Sequence, residues 1–283
     1  MNQTMGPSAY RAAGRAGADL SAEQLVNEPR RTAGDDTARA PTKPRGRFYL
    51  GSAAVLLLVV LVGFSKTFYL RGAFGAPELK WSVFVHGLIL TSWFLMFFLQ
   101  AALVAGRRTA LHRSFGWAGA AVGLAVIVSG GLATPYRMAE LAAQGRLEAL
   151  MATAPIIVWS NTASIVAFAI LLAAAIALRR RPDTHKRLML LASISIIQPA
   201  FARIFRWPVF EAPGIEGVML AVAASFVMVG ALILYDLLSR KTLHPATLAG
   251  AAVLGGLKLG GVFLLAPSTL GPWLVRAMVA LVS

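Results

Sequence analysis

The chain has 283 residues, 57% of them hydrophobic and 14% charged, a balance too apolar for a soluble domain of this size. It contains no cysteine, which excludes disulfides, thiolate metal sites, iron–sulfur clusters and cysteine nucleophiles. The formal net charge of +15 would suit a nucleic-acid partner in a soluble protein, but no basic stripe is interleaved with stacking aromatics, so no nucleic-acid site is expected.

Residues 1–46 mix Gly, Ala, Pro, Arg and Asp without an apolar period. They predict a disordered, basic cytoplasmic tail, because such a segment buries too little surface to offset its ordering entropy. The tail runs into Lys43, Arg45 and Arg47, a cluster suited to anionic lipid headgroups. The first apolar block starts only near Phe48, too late for the core of a cleavable signal peptide.

A helix needs roughly 20 apolar residues to cross the hydrocarbon layer. Seven blocks approach or meet that length, at residues 48–65, 81–105, 115–134, 155–178, 187–206, 216–238 and 246–266. The fifth is interrupted by Pro199 and closed by Arg203 and Arg206. Residues 137–150 are helix-compatible but too short and charged to cross, and predict a surface helix. Residues 273–283 form a short apolar end that cannot span. The expected fold is therefore all-α: residues 47–283 form an integral membrane bundle of about seven transmembrane helices.

With the amino terminus inside, the inner segments carry 18 Lys and Arg and the outer segments 8. That asymmetry predicts an inside amino terminus and an outside carboxyl terminus. Tyr69, Trp81, Tyr136, Trp207 and Trp273 fall at the outer interface, and Tyr49, Trp117 and Tyr235 at the inner one, as amphipathic rings prefer. Gly116, Gly119 and Gly123 on the third span, and Gly256 and Gly260 on the seventh, are expected to admit close helix contacts.

Polar side chains inside spans are costly and often functional. His86 lies about 7–8 Å below the outer interface, counting from Trp81 at 1.5 Å per residue. Asn161 sits at a comparable depth on the fourth span. Lys258, thirteen residues past Pro245, is about 20 Å in from the opposite face. Gln198 and Arg203 reach the same outer half from the fifth span. Ser82, His86, Trp93 and Gln100 share a face of the second. His86, Asn161, Gln198, Arg203 and Lys258 are therefore the expected ligand-binding set. In that set His86 is the ligand or hydrogen-bond partner, Lys258 and Arg203 supply positive charge for an anionic group, and Asn161 and Gln198 orient it.

A second constellation is His112, His185 and His244, each just before a span at the inner face. Three imidazoles hold zinc with one position open, so these are the expected metal ligands if their helices are neighbours. No carboxylate lies mid-span, so acid–base work in an intramembrane enzyme would fall to His86 or Lys258.

Phe68-Tyr69-Leu70-Arg71, Val85-His86-Gly87, Leu111-His112-Arg113-Ser114-Phe115-Gly116-Trp117 and His185-Lys186-Arg187-Leu188-Met189-Leu190-Leu191 resemble a group of uncharacterised bacterial polytopic inner-membrane proteins, over roughly residues 48–206. The His-Arg-x-x-Gly and His-Lys-Arg-x-Met pieces are also similar, more distantly, to haem-linked membrane families such as the cytochrome b561-like proteins and oxidase assembly factors. Those b561-like proteins pair histidines within the membrane at two depths, whereas here His86 alone is placed inside a span. The resemblance implies the bacterial inner (plasma) membrane, and haem or a quinone among cofactor-like ligands. The expected function is a binding or accessory protein with an outer-half polar pocket for a small lipophilic, amphipathic molecule. The alternatives are a small-molecule transporter and an intramembrane enzyme acting on a lipophilic substrate.

Overall fold

In hydrocarbon a backbone segment must satisfy its own hydrogen bonds, and helix is the local way to do so. The apolar blocks accordingly fold as helices in the computed structural model, which describes residues 47–210 and 217–282. The tail expected at residues 1–46 lies outside the described residues, and so do Glu211 and Glu216. No strand occurs among the described residues.

The order is α1 (Arg47–Gly63), α2 (Trp81–Ala105), α3 (Thr109–Ala143), α4 (Ala154–Ala177), α5 (Pro182–Ser195), α6 (Gln198–Ile204), α7 (Gly217–Arg240), α8 (Pro245–Leu259) and α9 (Leu270–Val282). A π-helical stretch, Ser65–Tyr69, follows α1, and another, Gly260–Leu265, continues α8. Five helices are long and apolar enough to cross a membrane: α2, α3, α4, α7 from Met219, and α8 with its π extension to Leu265. The pair α5 and α6 makes a sixth if taken as one span bent by 46°. These helices mark a multi-pass membrane protein. The bend falls where Pro199, at the start of α6, has no N–H to continue the ladder from α5. Within the first expected block, α1 has 17 residues and is too short by itself.

The stretch expected as a separate surface helix at 137–150 is not separate. α3 runs through Pro135 to Ala143, and only Glu148–Leu150 forms a further turn. The physical reason is packing: Met138, Leu141 and Leu147 are buried with Ala154 and Val158 of α4 and Val275 of α9. The short carboxyl-terminal helix α9 thus lies against α3 and α4.

The main core gathers around α4 and α5, where Phe168, Leu171, Leu191 and Ile194 are fully buried beside Leu56 of α1 and Leu254 of α8. Close approach uses other glycines than expected on α8. A Cβ on Gly256 or Gly260 would meet nothing within 4 Å, whereas one on Gly250 would lie 2.6 Å from Leu191. Of the three glycines expected on α3, Gly123 is tightly covered, by Leu172 and Trp93, and Gly130, outside that set, is covered by Ile165.

Candidate functional site

The polar residues of interest collect at the end of the bundle that carries Trp81. On α2, His86 is half-buried, and its Nδ1 lies 3.1 Å from Ser129 Oγ of α3. On α4, Asn161 donates from Nδ2 to Thr134 Oγ1 at 3.3 Å. The Tyr69 hydroxyl lies 2.7 Å from Thr91 Oγ1, and Thr91 in turn donates to the Gly87 carbonyl at 2.7 Å. The π-helical stretch after α1 brings Phe68 over Gly87, where any Cβ would collide with the ring. These groups line a cavity of about 870 Å³, together with Arg203, Lys80, Arg137 and Glu140.

A second cavity of about 380 Å³ lies beside the first. Its wall holds Ser160, Asn161, Gln198, Arg203 and Lys258, with Arg137 and Arg206. Gln198 is the hinge of this wall. Its Oε1 accepts from Ser160 Oγ at 3.1 Å and from Lys258 Nζ. Lys258 is only 4% exposed. A Lys at the centre of a membrane helix costs about 2.5–3.5 kcal/mol on insertion scales. Arg203 donates to the Pro199 carbonyl at 3.0 Å and stands 4.2 Å over the Phe64 ring. Among the described residues, no carboxylate forms an ion pair with either cation.

The five expected ligand residues thus divide between two cavities. His86 lines only the larger, Gln198 and Lys258 only the smaller, and Asn161 and Arg203 line both. The expected face of α2 also divides. Ser82 and His86 line the larger cavity, but Trp93 is buried in the core, edge-on to Phe168 and donating to Ser193 Oγ at 3.3 Å. Gln100 lines neither cavity.

At the opposite end, the expected three-imidazole cluster does not assemble. The rings of His112 and His185 have centroids 6.3 Å apart, with the His185 Nδ1–H donating to the Ala175 carbonyl at 2.9 Å. His244 instead caps α8, its Nδ1 accepting from the Ala246 backbone N–H at 3.0 Å. Burial first, then Arg187 and Arg240, hold the His244 imidazole below its ordinary pKa, which keeps the accepting lone pair available. Among the described residues, no three His, Asp or Glu side chains are placed to share a metal ion.

No family model, curated protein or solved structure matches the chain.

One buried polar cluster was not anticipated. Arg187, at the start of α5, and Asp236, near the end of α7, form an ion pair in the interior. The sequence carried a weak signal for it: Asp236 is an acid within an otherwise apolar block. A block pattern does not say which cation lies opposite. Ser129 and Thr134 likewise stand outside the expected set, because a lone hydroxyl in a helix ordinarily bonds its own backbone.

Proposed function

We propose that the protein is a binding or accessory protein of the bacterial inner membrane, crossing it seven times with the amino terminus inside. In this reading α1, extended by its π-helical stretch, serves as the first span, and the bent α5–α6 pair as the fifth. The 18-to-8 cation asymmetry sets the orientation. The ligand is a small amphipathic or cofactor-like molecule, haem or a quinone included, seated in the outer-half cavities. His86 ligates or hydrogen-bonds it, and Asn161 and Arg203 hold it where the two cavities share a wall.

The observation that carries this reading is the cost at that wall. Lys258 is buried and Arg203 half-buried, with no carboxylate partner among the described residues. An arrangement of this kind is ordinarily retained for a ligand. Open space lined by few, convergent polar groups on an apolar wall is also the usual form of a small-molecule site.

The test is purification of the full chain in mild detergent, followed by its absorption spectrum and mass spectrometry of the extracted small molecules. One amphipathic molecule per chain is expected, lost in His86→Ala with the helical circular dichroism intact. A Soret band would identify haem. A chain that carries nothing in either form would sink the binding reading. Weight would then pass to a transporter, for which the break between α5 and α6 is the relevant feature.

A further inference from the structure

We infer that the smaller cavity is a phosphate site, and that its occupant presents the phosphate from an apolar tail. This rests on the binding reading above and narrows its ligand to an amphipathic molecule that carries a phosphate, which neither haem nor a quinone does.

Four cations line this cavity, Arg137, Arg203, Arg206 and Lys258, and among the described residues no Asp or Glu does. They form a graded entry. Arg137 and Arg206 are exposed, Arg203 is half-buried, and Lys258 is buried. Such a funnel draws an anion inward. The counter-charge on the protein side is slight: Glu140 pairs with Arg137 at 2.9 Å but is shared with Lys80 at 2.8 Å. Headgroup snorkelling accounts for exposed arginines. It does not account for Lys258, which is 4% exposed.

Gln198 supplies an independent observation. The residue is 8% exposed, and its Oε1 is already taken by Lys258 and Ser160. Its amide NH₂ is therefore left to donate, and among the described residues no acceptor side chain is bonded to it. The wall thus offers donors and positive charge without a matching carboxylate among the described residues.

A carboxylate would bring a single charge and two acceptor atoms. A phosphate monoester brings about −1.5 to −2 charges at pH 7 and three acceptor oxygens, the better match to several cations arriving from different helices. Arginine forks suit phosphate oxygens, and lysine adds a point charge. Beyond the cations and the polar Ser160, Asn161 and Gln198, the lining is apolar, with Ile156, Leu259, Val262 and Phe263, which favours a phosphate carried on a lipid tail over a free one.

The test uses the full chain in neutral detergent, with short-chain phosphatidic acid, inorganic phosphate and octanoate as probes, read by binding isotherm and thermal shift. Saturable binding of phosphatidic acid is expected, weakened about tenfold or more by Lys258→Met and by Arg203→Gln, since each removes a charged hydrogen-bond donor. Arg206→Gln, at the exposed rim, is expected to weaken binding less, and it serves if an interior variant fails to fold. Displacement of the lipid by inorganic phosphate would make the headgroup alone sufficient. Its failure to displace would make a lipid the source. Octanoate binding as tightly as phosphatidic acid, variants that bind like wild type, or no binding of either phosphate probe would overturn the inference. If the phosphate probes fail while a ligand still co-purifies through His86, this inference falls and the binding reading stands.

Discussion

Arg187 holds the carboxylate of Asp236 across 49 residues of chain, its Nε reaching Oδ1 at 3.0 Å and Oδ2 at 3.2 Å, with the two side chains 1% and 0% exposed. Asp236 Oδ2 also accepts from Thr247 Oγ1 at 2.5 Å and from the His244 backbone N–H at 3.2 Å. The Arg187 Nη1 donates to the Asp183 carbonyl at 2.8 Å. One ion pair thus ties the start of α5 to the end of α7 and the start of α8.

Removing either partner leaves the other charge buried and uncompensated, which costs about 3–5 kcal/mol. Asp236→Asn and Arg187→Gln should each lower the unfolding temperature in detergent sharply. A paired Arg187→Met, Asp236→Leu chain should recover much of the loss, because the penalty is an unpaired charge rather than a missing contact. A double variant as unstable as the sum of the singles would contradict this.

His244 gives a pH dependence with a definite sign. Its folded pKa lies below the ordinary 6.5, mainly through burial. The unfolded chain therefore takes up the proton first as pH falls, and the stabilisation, complete above 6.5, is lost progressively below it. Protonation also removes the Nδ1 acceptor that caps α8. His244→Asn, which retains a capping oxygen, should flatten thermal stability between pH 7 and pH 5. An unchanged pH profile in that variant would assign the dependence to another group.

Two glycines should behave oppositely. A Cβ at Gly63 would lie 2.5 Å from the Ala200 carbonyl oxygen, backbone against backbone where α1 meets α6. Gly63→Ala should destabilise by about 1–3 kcal/mol, the usual cost of overpacking. At Gly256 nothing lies within 4 Å, so Gly256→Ala should be neutral or stabilising by up to about 1 kcal/mol from helix propensity. Equal effects at the two sites, read by thermal unfolding, would show that α1 is not seated on α6 as described.

The proposed topology is testable with reporter fusions. Fusions after Arg181 and after Lys241 should report inside. Those after Arg146 and at the carboxyl end should report outside. An inside carboxyl end would overturn the count of seven crossings, and with Lys241 inside it would place the fault in α8 or α9.

The metal expectation at the inner histidines is tested by replacing His112, His185 and His244 together with Gln and measuring metal content in the purified chain. No stoichiometric loss is expected, since His244 is committed to its cap.

Hydropathy accumulates residue by residue along the chain, so the amino-acid sequence was sufficient for the all-helical class, for the five long spans, and for the break at Pro199. The polar residues His86, Asn161, Gln198, Arg203 and Lys258 were legible for the same reason, since each stands out against its own apolar block. Which of them meet was not legible. Helical spacing says what shares a face, not how far that helix is rotated or which neighbour it packs on. A small rotation decides whether Trp93 fills the core or lines a cavity, and whether His244 caps a helix or joins two other imidazoles. Only the tertiary packing, of α4 against α3 and α8 and of α5 against α7, separated His86 from Lys258, set Gln198 between Ser160 and Lys258, and brought Arg187 to Asp236. Those pairings depend on side chains tens of residues apart, whose attraction appears only after the helices have closed and excluded the competing water.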